Sequence, residues 1–220
     1  MGNLLFDPIK TQSKITDAVL VGFSGGKDSI VTLDMCVKYF KTVVPFFMYL
    51  APDLEFQERT VQKYEKKYNI EIMRLPHFEV SNFFRYGTFR NADPSVKIVS
   101  ITDVYEYLRQ KTGIEWIAAG ERTSDSIVRN AMIKKSGSVD KQRRRFYPIA
   151  YWNKANVMKY IKMKNLYLPQ DSRKIGFSFR SLAGEELSTI KNLYPKDYEK
   201  ILKVYPFAGA SVERFECYGK

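Results

Sequence analysis

The amino-acid sequence predicts an α/β protein: a parallel sheet covered on both faces by helices, followed by a smaller helical lobe. Three observations carry the prediction. Residues 18–40, AVLVGFSGGKDSIVTLDMCVKYF, read as a buried strand, a glycine turn and an amphipathic helix in direct succession. Apolar runs then alternate with charged, periodic stretches as far as residue 164, the pattern of strands joined by helical crossovers. Beyond residue 165 the pattern changes to short helical stretches broken by proline and glycine. The expected division is therefore 1–165 and 166–220.

Each element follows from its residues. In the first unit, 18–23 is rich in β-formers, and Ile30, Leu33, Cys36, Val37 and Phe40 form one helical stripe. Residues 43–50 read as a second buried strand. Residues 53–68 read as a helix with Phe56, Thr60, Val61 and Tyr64 inward, and 70–75 as a third strand. The stretch 76–99, with Pro76, the lone His77, Gly87 and Asp93-Pro94, reads as irregular. A helix over 100–111 buries Ile101, Val104, Tyr105 and Leu108; a strand over 115–119 runs into Gly120. Residues 134–145, KKSGSVDKQRRR, read as a flexible basic loop, with a short strand at 146–149 after it. Asn153 is placed to cap a helix through Lys164, and two short helices are expected near 184–193 and 195–204.

Composition narrows the class. Hydrophobic residues make up 45% of 220, enough for a packed core. The net charge of +12 predicts anionic partners: a nucleotide, and nucleic acid through Lys134, Lys135, Lys141, Arg143, Arg144 and Arg145. No apolar run approaches the ~20 residues of a membrane span, and no signal segment opens the chain. A cytoplasmic protein without a membrane partner is expected. Two cysteines, Cys36 and Cys217, are too few for a disulfide scaffold or a four-cysteine cluster, so no iron–sulfur cluster is expected.

The chemistry centres on Ser24-Gly25-Gly26-Lys27-Asp28-Ser29. A strand, a glycine turn and a helix start form an anion seat: the first helical N–H groups lack internal partners and carry the positive end of the helix dipole. Lys27 adds a full charge, and Ser24 and Ser29 add hydroxyls. The P-loop pattern fails, because Asp28 follows Gly26-Lys27 and Val21 stands where the first glycine belongs. The G-x-G-x-x-G fingerprint is absent as well. The second motif is Gly120-Glu121-Arg122-Thr123-Ser124-Asp125-Ser126-Ile127-Val128-Arg129, after a predicted strand and hence at the ligand-binding edge of an open parallel sheet.

The six-residue loop matches, without a substitution, the loop of the PP-loop superfamily of ATP pyrophosphatases. With Gly120, Arg122, Ser126 and Arg129 it resembles the branch holding phosphoadenosine-phosphosulfate (PAPS) reductases and the small subunit of ATP sulfurylase. Thr123 and Ser124 depart from that branch's second arginine and acid. Tyr147-Pro148-Ile149 with Trp152 is similar to a family stretch in which an acid stands where this chain has Tyr151. Ala51-Pro52-Asp53 replaces the family's acidic turn, and Glu216-Cys217 resembles the C-terminal segment whose cysteine attacks a sulfonate.

The resemblance implies a three-layer α/β/α sandwich with a mostly parallel sheet. It implies an adenine nucleotide held by Ser24, Gly25, Gly26, Lys27, Asp28, Ser29, Gly120, Arg122, Ser126 and Arg129. Lys27 and Asp28 would be catalytic, and Asp28 a ligand of Mg²⁺. The nucleotide is ATP if the loop decides, with cleavage between the α and β phosphates and adenylation of an acceptor in sulfur metabolism or sulfur-linked modification. It is PAPS if the tail decides, with Cys217 as nucleophile and a thioredoxin-like reductant or sulfur donor as partner. A non-catalytic nucleotide- or nucleic-acid-binding module is the third reading. A homo-oligomer is expected in each case.

Overall fold

The computed structural model describes residues 6–169, 179 and 181–219. Its centre is a six-stranded sheet in the order β3-β2-β1-β4-β6-β5. The strands are β1 (Ala18–Gly22), β2 (Thr42–Tyr49), β3 (Met73–Pro76), β4 (Ile117–Ala118), β5 (Val139–Asp140) and β6 (Arg145–Phe146). All neighbours are parallel except β5, which lies antiparallel to β6 at one edge.

Strand alternation sorts the two faces. Val19 and Val21 point into a core shared with α2 (Lys27–Tyr39), α3 (Glu55–Tyr68) and α7 (Lys154–Met163). Leu20 and Phe46 point the other way, onto Val104 and Leu108 of α5 (Ile101–Thr112). Helices thus cover both faces, as in the expected sandwich. α1 (Asp7–Gln12) buries Ile9 in the first of these cores. A further core joins Leu187, Ile190, Ile201, Tyr205 and Val212 of α8 (Gly184–Leu193), α9 (Pro195–Val204) and the segment after it to Ala51, Leu54 and Phe56. Among the described residues, no helix is long and apolar enough to cross a membrane.

The strands expected over 115–119 and 146–149 shorten to β4 and β6, and four stretches differ more from expectation. The strand expected over 70–75 starts later, because Asn69 ends α3 in a left-handed turn (φ 52°) and the Ile72 N–H donates to Glu65 Oε1, so this segment leaves the helix rather than joining the ladder. The irregular stretch 76–99 contains α4 (Phe78–Tyr86), started by His77, whose Nδ1 accepts from the Glu79 N–H at 3.4 Å, and ended by Gly87 at φ 74°. The basic loop 134–145 is largely ordered: Lys134 and Lys135 lie in the last turn of α6 (Ile127–Ser136), Gly137 (φ 76°) breaks it, and β5 and β6 form a hairpin. The C-terminal segment is helical, α10 (Gly209–Tyr218). It packs so closely on α8 that a Cβ on Gly184 would overlap the Ser211 carbonyl oxygen.

Candidate functional site

The 24–29 loop joins β1 to α2 at the carboxyl edge of the sheet, beside the ends of β2 and β4. Gly25 adopts φ 72°, a conformation that favours glycine, and is buried against Thr60 of α3. Gly26 is the N-cap of α2 and supplies no side-chain cap. The N–H groups of Lys27, Asp28 and Ser29 have no hydrogen-bond acceptor among the described residues. Ser29 braces the loop from within: its Oγ donates to the Gly26 carbonyl at 2.9 Å and accepts from the Ser24 N–H at 3.1 Å. Ser24 is the exposed hydroxyl, and its Oγ lies 3.2 Å from Ser29 Oγ.

The second motif closes on the first. Gly120 lies against the start of α2, where a Cβ would sit 3.1 Å from the Asp28 carbonyl carbon and 3.2 Å from Thr32 Oγ1. That absence of a side chain lets Arg122 reach Asp28. Arg122 is only 5% exposed. Its Nε stands 3.1 Å from Asp28 Oδ1, and its Nη2 donates to Asp125 Oδ1 at 2.7 Å. Asp28 Oδ2 accepts from Lys27 Nζ at 2.7 Å. Arg122 Nη1 is buried without a hydrogen-bond partner. A guanidinium held between two carboxylates with an idle N–H is oriented before any ligand arrives.

Ser126 caps α6, accepting from the Arg129 N–H at 3.2 Å, and the Arg129 side chain stays largely exposed, 3.5 Å from Asp125. The structure therefore brings Ser24, Gly25, Gly26, Lys27, Asp28, Ser29, Gly120 and Arg122 together, with Ser126 and Arg129 at the rim. Cys217 lies exposed in the last turn of α10, where the neighbouring Glu216 is tied to α8 by Lys191 at 3.0 Å and Ser188 at 3.0 Å. Asp28 Oδ2 accepts from Lys27, while Oδ1, 3.1 Å from Arg122 Nε, is buried without a hydrogen-bond partner. Among the described residues, no group of three or more His, Cys, Asp or Glu could hold a metal ion.

Several residues at the site take parts that the motifs alone do not assign. Asp125 is the second anchor of Arg122; a helix-start acid looks like any other until its partner is known. Thr123 and Ser124, the family departures, fasten this turn to the one after β6: the Thr123 N–H donates to the Ala150 carbonyl at 2.8 Å, and Ser124 Oγ donates to that of Trp152 at 3.3 Å. Behind Arg122, Glu121 accepts from Arg145 at 2.8 Å, and that guanidinium lies over the Tyr105 and Tyr147 rings. Burial raises the pKa of the Tyr147 phenol above its ordinary value. Beside Gly25, a cavity of about 10 Å³ extends to Phe47, Phe56 and Phe179 and is lined by Gln57, whose Oε1 is buried without a partner. It has room for about one water.

Comparison with known proteins fits this geometry. The model of the phosphoadenosine phosphosulfate reductase domain matches residues 18–170. An uncharacterised protein of Methanocaldococcus jannaschii is 28% identical over 211 residues, covering 86% of this chain and 42% of its own length. The chain thus spans less than half of the curated relative it matches. Among solved structures, the NH3-dependent NAD synthetase of Campylobacter jejuni, in complex with nitrate, has TM-score 0.53 at 16% identity, covering 99% of this chain and 94% of its own. The U34-tRNA thiolase NcsA of Methanococcus maripaludis, with its 4Fe–4S cluster, has TM-score 0.52 at 16% identity, covering 92% and 78%. The FMN adenylyltransferase of Candida glabrata, in complex with ATP, has TM-score 0.51 at 16% identity, covering 77% and 57%.

The thiolase corrects one expectation. A protein of this fold carries an iron–sulfur cluster, so the inference from two cysteines to no cluster does not stand. Counting cysteines excludes only a cluster held by four thiolates of one chain, and iron is also ligated by histidine. With the loop, the second motif, the sheet order and a family model covering residues 18–170 all in agreement, the chain belongs to the phosphoadenosine phosphosulfate reductase domain family, a branch of the PP-loop superfamily.

Proposed function

We propose that this protein is an enzyme that binds ATP over the 24–29 loop, cleaves it between the α and β phosphates and adenylates an acceptor, in sulfur metabolism or sulfur-linked modification. The observation that carries the reading is the bare first turn of α2 behind an unsubstituted SGGKDS loop: three N–H groups without acceptors among the described residues, with Lys27 beside them. A departing pyrophosphate needs its charge neutralised more than it needs covalent help. The acceptor nucleophile attacks the α-phosphorus, the bond to the bridging oxygen breaks, and pyrophosphate leaves with the electron pair. The loop N–H groups and the dipole of α2 face that leaving group. Lys27, held by Asp28 before substrate arrives, exchanges a carboxylate for phosphate oxygens. Arg122, anchored by Asp125, offers its idle Nη1 at the other side of Asp28. The ATP bound to the adenylyltransferase relative supports the choice of nucleotide.

Chromatography of products from α-labelled ATP tests the reading. AMP or an adenylated acceptor with pyrophosphate is expected; ADP with phosphate would overturn it. The reductase reading is favoured by the family model's own description and by the exposure of Cys217 on α10. In it, the thiolate takes the sulfonate from PAPS, releases adenosine bisphosphate, and is discharged as sulfite by a dithiol reductant of the thioredoxin type.

A further inference from the structure

We infer that α6 and the β5–β6 hairpin form a docking surface for a single strand of nucleic acid with unpaired bases, and that this strand is the acceptor presented to the 24–29 loop. The acceptor role rests on the ATP-cleaving reading; the docking surface does not.

Charge supplies the first argument. From Ile127 to Arg144 the chain carries Arg129, Lys134, Lys135, Lys141, Arg143 and Arg144 against a single acid, Asp140. The structure puts them on one continuous feature. α6 holds the first three, and the hairpin that follows at the sheet edge holds the rest. Among the described residues, no carboxylate pairs with Lys134, Lys135 or Lys141, and all three are exposed. Arg143 has only a long contact to Asp140 (3.9 Å), and Arg144 pairs with Glu115. Arg145, which sequence alone groups with these, is turned inward to Glu121 and contributes nothing to the surface.

The apolar groups supply the second argument. Ile127 is 89% exposed and Val128 77%, an unusual placement for adjacent aliphatic residues at a helix start. Tyr151, 53% exposed, lies in the turn after β6, which Thr123 and Ser124, a few residues before Ile127, hold by the carbonyls on either side of it. A duplex hides its base faces; an unpaired strand offers them to aromatic and aliphatic side chains while its phosphates follow the cations. The ten residues of α6 extend ~15 Å, and the hairpin that follows lengthens the strip, room for a few nucleotides of an unpaired strand. The order along the strip matters. Its aromatic end adjoins Asp125 and Arg122, hence the loop, while its cationic end lies at the hairpin. A strand bound along it has its bases at the end that leads to the nucleotide site.

RNA and DNA share the phosphates and base faces on which this rests, so titrations with both separate the sources. Fluorescence anisotropy with labelled single strands and matched duplexes, without nucleotide, is the test. Single strands should bind more tightly than duplexes. For about four phosphate contacts, a fourfold rise in salt should weaken binding about 50-fold. The variant Lys134→Glu, Lys135→Glu, Lys141→Glu should lose at least ~30-fold in affinity and flatten the salt dependence. Tyr151→Ala should lose about fivefold or more on single strands and little on duplexes. No binding at low salt, duplexes bound as tightly as strands, or affinity untouched by the triple variant would each overturn the surface, whatever the products from ATP. ADP formation alongside intact strand binding would remove the acceptor role and the ATP reading together while leaving the surface.

Discussion

Two helices leave the carboxyl edge of the sheet side by side, and they start in opposite ways. α2 and α3 both lack a side-chain cap from their own N-cap residues, Gly26 and Leu54. α3 is completed from far along the chain: the carboxylate of Asp197, 2% exposed, accepts from the Glu55 N–H at 2.9 Å and the Phe56 N–H at 3.0 Å. Lys200 steadies that carboxylate and also donates to the Asp53 carbonyl at 2.6 Å, while the Tyr205 hydroxyl donates to Leu50 at 2.8 Å. The C-terminal helices thus clamp the β2–α3 turn with a permanent internal anion. Nothing among the described residues does so for α2. An unmet helix start that is costly to bury is resolved by the protein in one place and left open among the described residues in the other.

The comparison breaks first at Lys27. Lys27→Ala should lower pyrophosphate release about 10²–10³-fold while far-ultraviolet circular dichroism stays unchanged. Wild-type turnover in that variant would take the loop out of the mechanism. The converse belongs to Asp197: Asp197→Ala should cost about 2 kcal/mol in urea unfolding because it strands two helix-start donors, that of Phe56 buried, and an unchanged midpoint would show that the clamp is ornamental.

α4 sharpens the comparison, because its start is met by its own neighbour. His77 Nδ1 must be unprotonated to accept from Glu79, and burial lowers the imidazolium pKa below its ordinary value, with Glu79 pulling the other way. The folded state therefore prefers neutral imidazole. This stabilisation is complete above the ordinary imidazole range and is lost as pH falls through the folded value. The chain has one histidine, so proton resonances of the imidazole read it directly. The midpoint should lie below that of the urea-unfolded chain, and an equal or higher one would refute the cap.

The smallest effect is expected at the far end. Cys217→Ser should leave pyrophosphate release unchanged, since the last turn of α10 is fastened to α8. Intact-mass measurement after incubation with PAPS decides the alternative. A sulfonate gained on Cys217 and removed by thioredoxin would put the reductase reading first.

The β1–turn–α2 unit was legible because strand propensity, helical period and the need for glycine at φ 72° are properties of residues adjacent in the chain. The helices over Pro195–Val204 and Gly184–Leu193 were legible for the same reason. α4 was hidden by Pro76 and Gly87, which delimit it rather than forbid it, and none of its residues is buried to mark a stripe. α10 was hidden because a single residue, Val212, anchors its core face.

What sequence alone determined, then, is the candidate site at the carboxyl edge: its loop, its second motif and the α/β frame beneath them, all written in short-range patterns. Tertiary structure alone decided which charges meet. Arg122 faces Asp28 because Gly120 has no side chain, Arg145 turns inward to Glu121, and Asp197 caps a helix from the opposite end of the chain. A buried charge takes its meaning from its partner, and no local pattern names a partner that folding brings from elsewhere.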